Sequence, residues 1–337
     1  MRADLASLLE GKDLSEDRAH ALFTAIVGGD VRELELAALL VVLRMKGETA
    51  AEITGAARAL RDAALTFERP TYAFADVVGT GGDNGNTINV STAAAFVVAE
   101  AGLPVAKHGN RSVSSRCGAA DLLERFGVRL DMSPRLARRC LDELGVTFLF
   151  APHYHPGIRH AMSVRKALAT RTVFNLLGPL VSPARPPIML VGVYDPQRVR
   201  LVAESLSRLG CERALVVHGG GLDEIALHAD TIACELSDFV VKERTLTAAQ
   251  LGAPSFPLSA IVGGSPEQNE ACLRAILGGR GEDAHVAAVA VNAAALLSLS
   301  QLVPSPADAY ERACAILRSG AALHRLERFA AMSQGVD

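Results

Sequence analysis

The sequence predicts an α/β protein in two parts: a small helical domain over residues 1–70 and a larger domain over 71–337, built on a mostly parallel central sheet covered by helices. Three observations carry that expectation. The first 70 residues read throughout as capped helices. After Pro70, short β-branched runs alternate with helical stretches of roughly 10 to 15 residues, the rhythm of βαβ units. The chain has 337 residues, 50% of them hydrophobic and 21% charged, which is enough for two domains and excludes a collagenous, disordered or disulfide-framework protein.

In the first part, Ser15 caps a helix that runs to the Gly28-Gly29 stop, and Thr49 with Glu52 forms a capping box for a helix lasting to about Leu65. Between them, Val31 to Met45 is apolar around most of its circumference (Val31, Leu34, Leu36, Leu39, Leu40, Val41, Val42, Leu43). One face must pack on something beyond the bundle itself, and because few helices in a bundle this small are enclosed on every side, a subunit interface is favoured over simple core. Strands are expected at Ala75 to Val78, Leu103 to Ala106, Val146 to Phe150, Ile188 to Tyr194 and Ala214 to His218. Thr231 to Leu236 and Phe239 to Leu246, parted by Ser237-Asp238, read as a hairpin added at one edge. The chain closes in helices, the first opened by Ser265-Pro266 and the last reaching about Met332, with no internal repeat or low-complexity linker.

Composition narrows the function. The 34 basic and 37 acidic residues leave a net charge of -3, and only 11 Phe and 4 Tyr with no Trp offer stacking surfaces, so a general nucleic-acid binder is disfavoured. Six cysteines at 117, 140, 211, 234, 272 and 314 include no two within four residues, so no zinc knuckle can be drawn and a reducing cytoplasm suits them. Met1 to Gly11 carries acids without an apolar core, and the aliphatic run Leu36 to Leu43 is far below the roughly 20 residues of a membrane span, so a soluble, unexported protein is expected.

Three segments that follow strands carry the chemistry. Val77-Val78 runs into Gly79-Thr80-Gly81-Gly82-Asp83-Asn84-Gly85-Asn86-Thr87, with Asn89, Ser91 and Thr92 opening an Ala-rich helix. Four glycines in seven residues beside a helix N-terminus suit an anion. Neither a dinucleotide fingerprint, which needs Gly at Asn84, nor a Walker loop fits. A mere tight turn is the plain alternative, but Asp83, Asn89, Ser91 and Thr92 add groups suited to phosphate oxygens, metal-bound water or sugar hydroxyls. The second segment, Lys107-His108-Gly109-Asn110-Arg111-Ser112-Val113-Ser114-Ser115-Arg116, contains no acid; it is either a solvated basic loop or a second phosphate grip, and its place after a strand favours the grip. In the third, Gly219-Gly220-Gly221-Leu222-Asp223-Glu224, an Asp-Glu pair taken alone is usually just solvated, but adjacent carboxylates repel unless a cation sits between them, and beside two anion loops they suit Mg2+ on a polyphosphate. His153, His155 and His160 do not have the spacing of the usual metal sets, and His155 beside Pro152 and Pro156 reads as a pocket wall.

Taken together, Gly79-Thr80-Gly81-Gly82-Asp83 with Asn89-Val90-Ser91-Thr92, Lys107-His108-Gly109-Asn110-Arg111-Ser112, Asn175-Leu176-Leu177-Gly178-Pro179 and Asp223-Glu224 closely resemble the anthranilate phosphoribosyltransferases, over nearly the whole chain. The resemblance implies a nucleoside phosphorylase/phosphoribosyltransferase-like fold, with helices from about 152–185 joining the first domain, and a homodimer through that domain. It assigns Gly79, Gly82, Asp83, Thr87, Asn89, Val90, Ser91, Thr92, Lys107, Ser115 and Ala119 to 5-phosphoribosyl 1-diphosphate, and Ser91, Asp223 and Glu224 to Mg2+. Asn110 and Arg165 would face anthranilate, with Gly79, His108, Pro152, His155 and Gly178 lining the approach, and no dedicated general base is assigned. Ala119 stands where the family commonly has Ser, so diphosphate affinity is the property that departure touches. The partners implied are the two substrates and a second copy of the chain, with no nucleic acid and no membrane. Pyrimidine nucleoside phosphorylases are the alternative, but they carry a Lys ahead of the loop where Val77-Val78 stands. A non-catalytic nucleic-acid-binding relative would spread basic residues over a surface, whereas Arg135, Arg138 and Arg139 are followed at once by Asp142 and Glu143.

Overall fold

Four helices form the N-terminal part, α1 (Arg2–Leu9), α2 (Glu16–Gly28), α3 (Glu33–Lys46) and α4 (Ala50–Asp62), in the computed structural model, which describes residues 2–83, 85–112 and 116–335. Their caps are those expected. Ser15 accepts from the Arg18 N–H, and the Thr49–Glu52 box is reciprocal, with Glu52 Oε2 taking the Thr49 N–H at 2.9 Å and Thr49 Oγ1 taking the Glu52 N–H at 3.3 Å. Helix α4 stops before Leu65 because the Leu65 N–H turns away to bond Tyr154 O at 2.8 Å. The apolar circumference of α3 divides into two faces: Leu36, Leu39, Leu40 and Leu43 are buried, while Leu34 and Met45 are 87% and 82% exposed.

The sheet has seven strands, β1 (Ala75–Gly79), β2 (Val105–Gly109), β3 (Val146–Phe150), β4 (Ile188–Gly192), β5 (Arg213–Gly219), β6 (Thr231–Ser237) and β7 (Val240–Leu246), in the order β3-β2-β1-β4-β5-β6-β7. β1 to β5 run parallel, and β6–β7 is the antiparallel edge hairpin. β2 begins two residues later than expected, since the Leu103 N–H is still bonded to Val98 O at the preceding helix exit and Pro104 has no N–H to give. β4 ends at Gly192 rather than Tyr194, whose N–H is taken by Thr80 Oγ1 at 3.0 Å.

Between and after the strands come α5 (Val90–Glu100), α6 (Ala119–Arg125), α7 (Pro134–Leu144), α8 (Ala151–Tyr154), α9 (Arg159–Leu168), α10 (Phe174–Leu177), α11 (Val199–Arg208), α12 (Pro266–Leu277), α13 (Asp283–Ser300), α14 (Pro306–Ser319) and α15 (Ala321–Ser333). Alternation along the central strands feeds two cores. Ile188, Leu190, Leu215 and Val217 join Phe96, Leu141, Val291 and Leu326 on one side. Met189, Val191, Ala214 and Val216 join Val202 and Leu206 of α11, and also Phe23, Leu39 and Ile53 of the N-terminal helices with Val164 of α9 and Phe174 of α10. The helical part is therefore continuous with the core on one sheet face. Helix α13, not singled out in the sequence, is apolar over 18 residues with a mean hydropathy of 1.4, a length and composition that could span a bilayer; 67% of it is buried inside the fold, as befits a central core helix.

The strand order reverses at β1, which lies between β2 and β4. In an open parallel sheet that is where a crevice forms beyond the carboxyl ends of the strands.

Candidate functional site

All three segments singled out in the sequence leave carboxyl ends of parallel strands, the glycine loop from β1, the Lys107 segment from β2 and the acid turn from β5. Gly79 and Gly192 face each other in the β1–β4 register. A Cβ on Gly192 would stand 1.5 Å from Asp223 O, and one on Gly79 would stand 2.2 Å from Asp223 Oδ2, so the two glycines make the space into which Asp223 folds. The Gly81 N–H donates to Asp223 Oδ2 at 2.6 Å, and Asp83 takes the Asp223 N–H at 3.4 Å and the Gly85 N–H at 3.0 Å. Gly192→Ala is accordingly expected to push the acid turn out of place and lower kcat/KM by roughly a hundredfold or more, with loss of stability; steady-state kinetics beside thermal melts check it. A fully active, wild-type-stable Gly192→Ala protein contradicts the arrangement.

The electrostatics are strained in a way that invites a cation. Burial and the neighbouring Asp83 push Asp223 up to about 7, and burial together with Asp223 and Asp83 raises Glu224 well above the usual carboxylate range. Lys107 is buried against them, its Nζ donating to Val77 O at 2.6 Å and to Ser91 Oγ at 3.2 Å. Burial lowers the Lys107 pKa, while Asp76, Glu224 and Asp223 pull it back up. Asp76 is fully buried behind it, accepting the His108 N–H at 3.2 Å through one oxygen, while the other has no partner. Among the described residues no three His, Cys, Asp or Glu side chains converge as a closed metal cage. Two carboxylates and the Ser91 hydroxyl are instead an open donor set, which suits Mg2+, an ion that keeps water and takes its remaining oxygens from a phosphate substrate.

The Lys107 segment is only partly the basic grip expected. Arg111 is neutralised from α6, pairing with Asp121 at 3.0 Å and Glu124 at 2.8 Å, and Asp121 also takes the Ser112 and Gly118 N–H groups. Those acids lie beyond the acid-free stretch in sequence, but a helical turn brings them back over it. Asn110 is exposed and accepts the Arg111 N–H at 2.7 Å, and Ala119 is the first residue of α6. Ser115 and Asn84 lie outside the described residues. Val90 and Thr92 are buried in the first turn of α5, and Thr87 makes an isolated bridge with Val262. Asn89, at the α5 N-cap, donates to Cys117 O at 2.9 Å and accepts from Asn269 at 3.2 Å. Asn269 of α12 was missed; nothing local marks a residue 180 positions away in an ordinary helix.

A second cluster adjoins the first through His108. Its Nδ1 lies 3.1 Å from Gly178 O, which can only accept, so the proton sits there and Nε2 keeps a lone pair with no partner. The His155 ring meets His108 edge-on at 5.3 Å, and burial pushes His108 down to about 3 and His155 to about 4, so both are neutral. Arg165 of α9 sets its guanidinium 5.1 Å over the Phe174 ring, is lowered by burial, and has no carboxylate in ion-pair range among the described residues. Pro152 is exposed in α8; no hydrogen bond among the described residues joins Pro152, Asn110 or Arg165 to His108. Arg171 was also missed: it donates to Gly82 O, stacks 4.1 Å over the Tyr194 ring, and through its own carbonyl accepts from Arg44 of α3 at 2.6 Å. It thereby pins the glycine loop to the helical part.

Two family profiles match this chain, "Glycosyl transferase family, helical bundle domain" over residues 5–64 and "Glycosyl transferase family, a/b domain" over 71–323. An anthranilate phosphoribosyltransferase of Sorangium cellulosum is 54% identical over 99% of this chain and 96% of its own, and one of Aeromonas hydrophila is 52% identical over 99% and 97%. Among solved structures, anthranilate phosphoribosyltransferase from Thermus thermophilus superposes with a TM-score of 0.93 at 40% identity, covering 98% of this chain and 99% of that one. The enzyme from Saccharomyces cerevisiae in complex with 5-phosphoribosyl 1-diphosphate and Mg superposes with a TM-score of 0.89 at 27% identity, over 100% and 99%.

Proposed function

Since the chain belongs to the anthranilate phosphoribosyltransferase family, we propose how its own residues divide the work of that reaction. The enzyme transfers the phosphoribosyl group of 5-phosphoribosyl 1-diphosphate to the amine of anthranilate, a step of tryptophan biosynthesis that releases diphosphate. The donor lies across the crevice of the glycine loop, its diphosphate against the loop amides, the first turn of α5 and Lys107. Asp223, Glu224 and Ser91 would hold Mg2+, which when bound offsets charge on the leaving diphosphate. As the bond from C1 to diphosphate breaks, negative charge grows on the leaving group, and Lys107 with the loop N–H groups is placed to stabilise it. The observation that supports this most strongly is the buried Lys107 standing opposite two destabilised carboxylates at adjoining strand ends.

The nucleophile is an arylamine, neutral at working pH, so holding it in line matters more than removing a proton. The neutral His108 and His155 rings serve as walls, with Asn110, Pro152 and Gly178 along the approach, and no residue acts as a dedicated general base. Arg165, a half-buried cation without a carboxylate partner among the described residues, takes the anthranilate carboxylate. Arg165→Ala is expected to remove about 2 kcal/mol of binding, raising the anthranilate KM roughly thirtyfold while the donor KM moves little. Equal rises in both constants contradict the assignment.

Residues 1–70 with the helices of about 152–185 form one unit, and it meets its counterpart in a homodimer through the open face of α3. The exposed Leu34 and Met45 support this, and Leu34→Arg with Met45→Glu is expected to yield monomers in sedimentation. Free cysteines, five of them buried and one half-buried, and a net charge of -3 support residence in a reducing cytoplasm without nucleic-acid or membrane partners.

A further inference from the structure

Two histidines outside the residues assigned to substrate and cation hydrogen-bond the turn that carries the acid pair. Beyond β5 the chain reverses through Gly219 to Leu222, whose backbones exchange hydrogen bonds at 2.9 and 3.0 Å, and Asp223 and Glu224 follow at once. The His218 ring is buried beside this turn, with Nε2 3.3 Å from the Gly221 nitrogen and Nδ1 2.7 Å from Val193 O. A backbone N–H can only donate, so Nε2 is the acceptor, and the ring proton sits on Nδ1 and donates to Val193 O. One neutral tautomer satisfies both ends. From the other side His228 Nε2 stands 3.1 Å from Gly220 O and donates to it. Val193 directly follows Gly192, the residue against which the Asp223 carbonyl packs. The His218 ring thus ties the turn to the same stretch of chain on which Asp223 rests.

We propose that His218 is a positioning residue for the acid pair, holding the Gly219–Leu222 turn against the end of β4 so that Asp223 and Glu224 enter the crevice together. The proposal rests on the reading that these two carboxylates hold the divalent cation. His218 touches neither cation nor substrate; it acts through Gly221 and Val193.

Asn and Gln each reproduce half of the ring. An Asn amide nitrogen sits at the reach of Nδ1 but leaves the Gly221 N–H without an acceptor, whereas a Gln carbonyl oxygen reaches the position of Nε2. The test compares wild type, His218→Asn, His218→Gln and the Asp223→Asn/Glu224→Gln control as full-length proteins with 5-phosphoribosyl 1-diphosphate. Mn2+ binding is read by electron paramagnetic resonance, and hydrogen exchange is followed over residues 219–224 and, as a reporter of global folding, over β1. His218→Asn, which keeps the Val193 end, and His218→Gln, which keeps the Gly221 end, are each expected to break the tie, weakening Mn2+ binding about tenfold and speeding exchange over 219–224 about tenfold with β1 unchanged. Wild-type binding and exchange in either variant, or exchange that quickens over β1 as much as over 219–224, overturn the proposal. If the double-acid control binds Mn2+ as wild type does, the acid-pair reading fails, and the exchange data still decide whether His218 holds the turn.

Discussion

Asp223→Asn combined with Glu224→Gln is expected to abolish magnesium-dependent turnover, lowering kcat/KM for the donor by about three orders of magnitude or more while the protein still folds. The replacements are nearly isosteric and remove charges that burial already disfavours, so stability should rise rather than fall. The sign follows from the shifts themselves. Both carboxyls have folded-state values above the usual carboxylate range, Asp223 at about 7, so the folded chain holds more protons than the unfolded one between those limits. Their contribution to stability is present at low pH and is lost as pH rises through about 7. The double variant lacks that loss, so its melting temperature should exceed that of wild type by a margin that widens from about pH 5 to about pH 8. Saturating Mg2+ with the donor should close the margin for wild type alone. By the same linkage Mg2+ must displace protons to bind, so its apparent affinity should weaken as pH falls below about 7. A fully active double variant, or a margin that does not change with pH, removes the acid pair from the account.

Lys107→Met should have the next largest effect, a loss of roughly 10²- to 10³-fold in the single-turnover rate at saturating donor. Methionine keeps most of the volume of the buried stem but has no cation to meet charge on the leaving diphosphate. The variant also takes the nearest positive charge from the buried Asp76, whose carboxyl already stands at about 7 through burial. Asp76 should then favour its protonated form more strongly, at a stability cost of about 1–3 kcal/mol that thermal melts resolve. Wild-type rates in Lys107→Met contradict its place at the leaving group, whatever happens to stability.

Much of this was legible because it is local. Helix caps such as Ser15 and the Thr49–Glu52 box, the alternating runs of β1 to β5 and the edge hairpin each depend on residues within a few positions of one another. The glycine loop and the acid turn were legible as anion and cation sites for the same reason, and their meeting followed from parallel strands that all end at one sheet edge. What was hidden depends on distance along the chain. Arg111 looked free because its partners Asp121 and Glu124 lie on the next helix, and a basic loop cannot show which acids will fold back on it. Asn269 and Arg171 reach the glycine loop from segments with no signature of their own. In the sequence Gly79 opens the glycine loop and Gly192 falls inside the expected strand Ile188 to Tyr194, and only their registration across β1 and β4 reveals that together they admit Asp223. The apolar circumference of α3 was visible, but which of its faces the sheet-side core would cover was not.

Everything above turns on the joining of a phosphoribosyl group to an arylamine in this crevice. It is tested most directly by mixing the purified protein with anthranilate, 5-phosphoribosyl 1-diphosphate and Mg2+ and following anthranilate fluorescence. The expected result is a decay whose rate is proportional to protein concentration and which disappears when either the donor or Mg2+ is left out. No decay from folded protein with all three components present would contradict it.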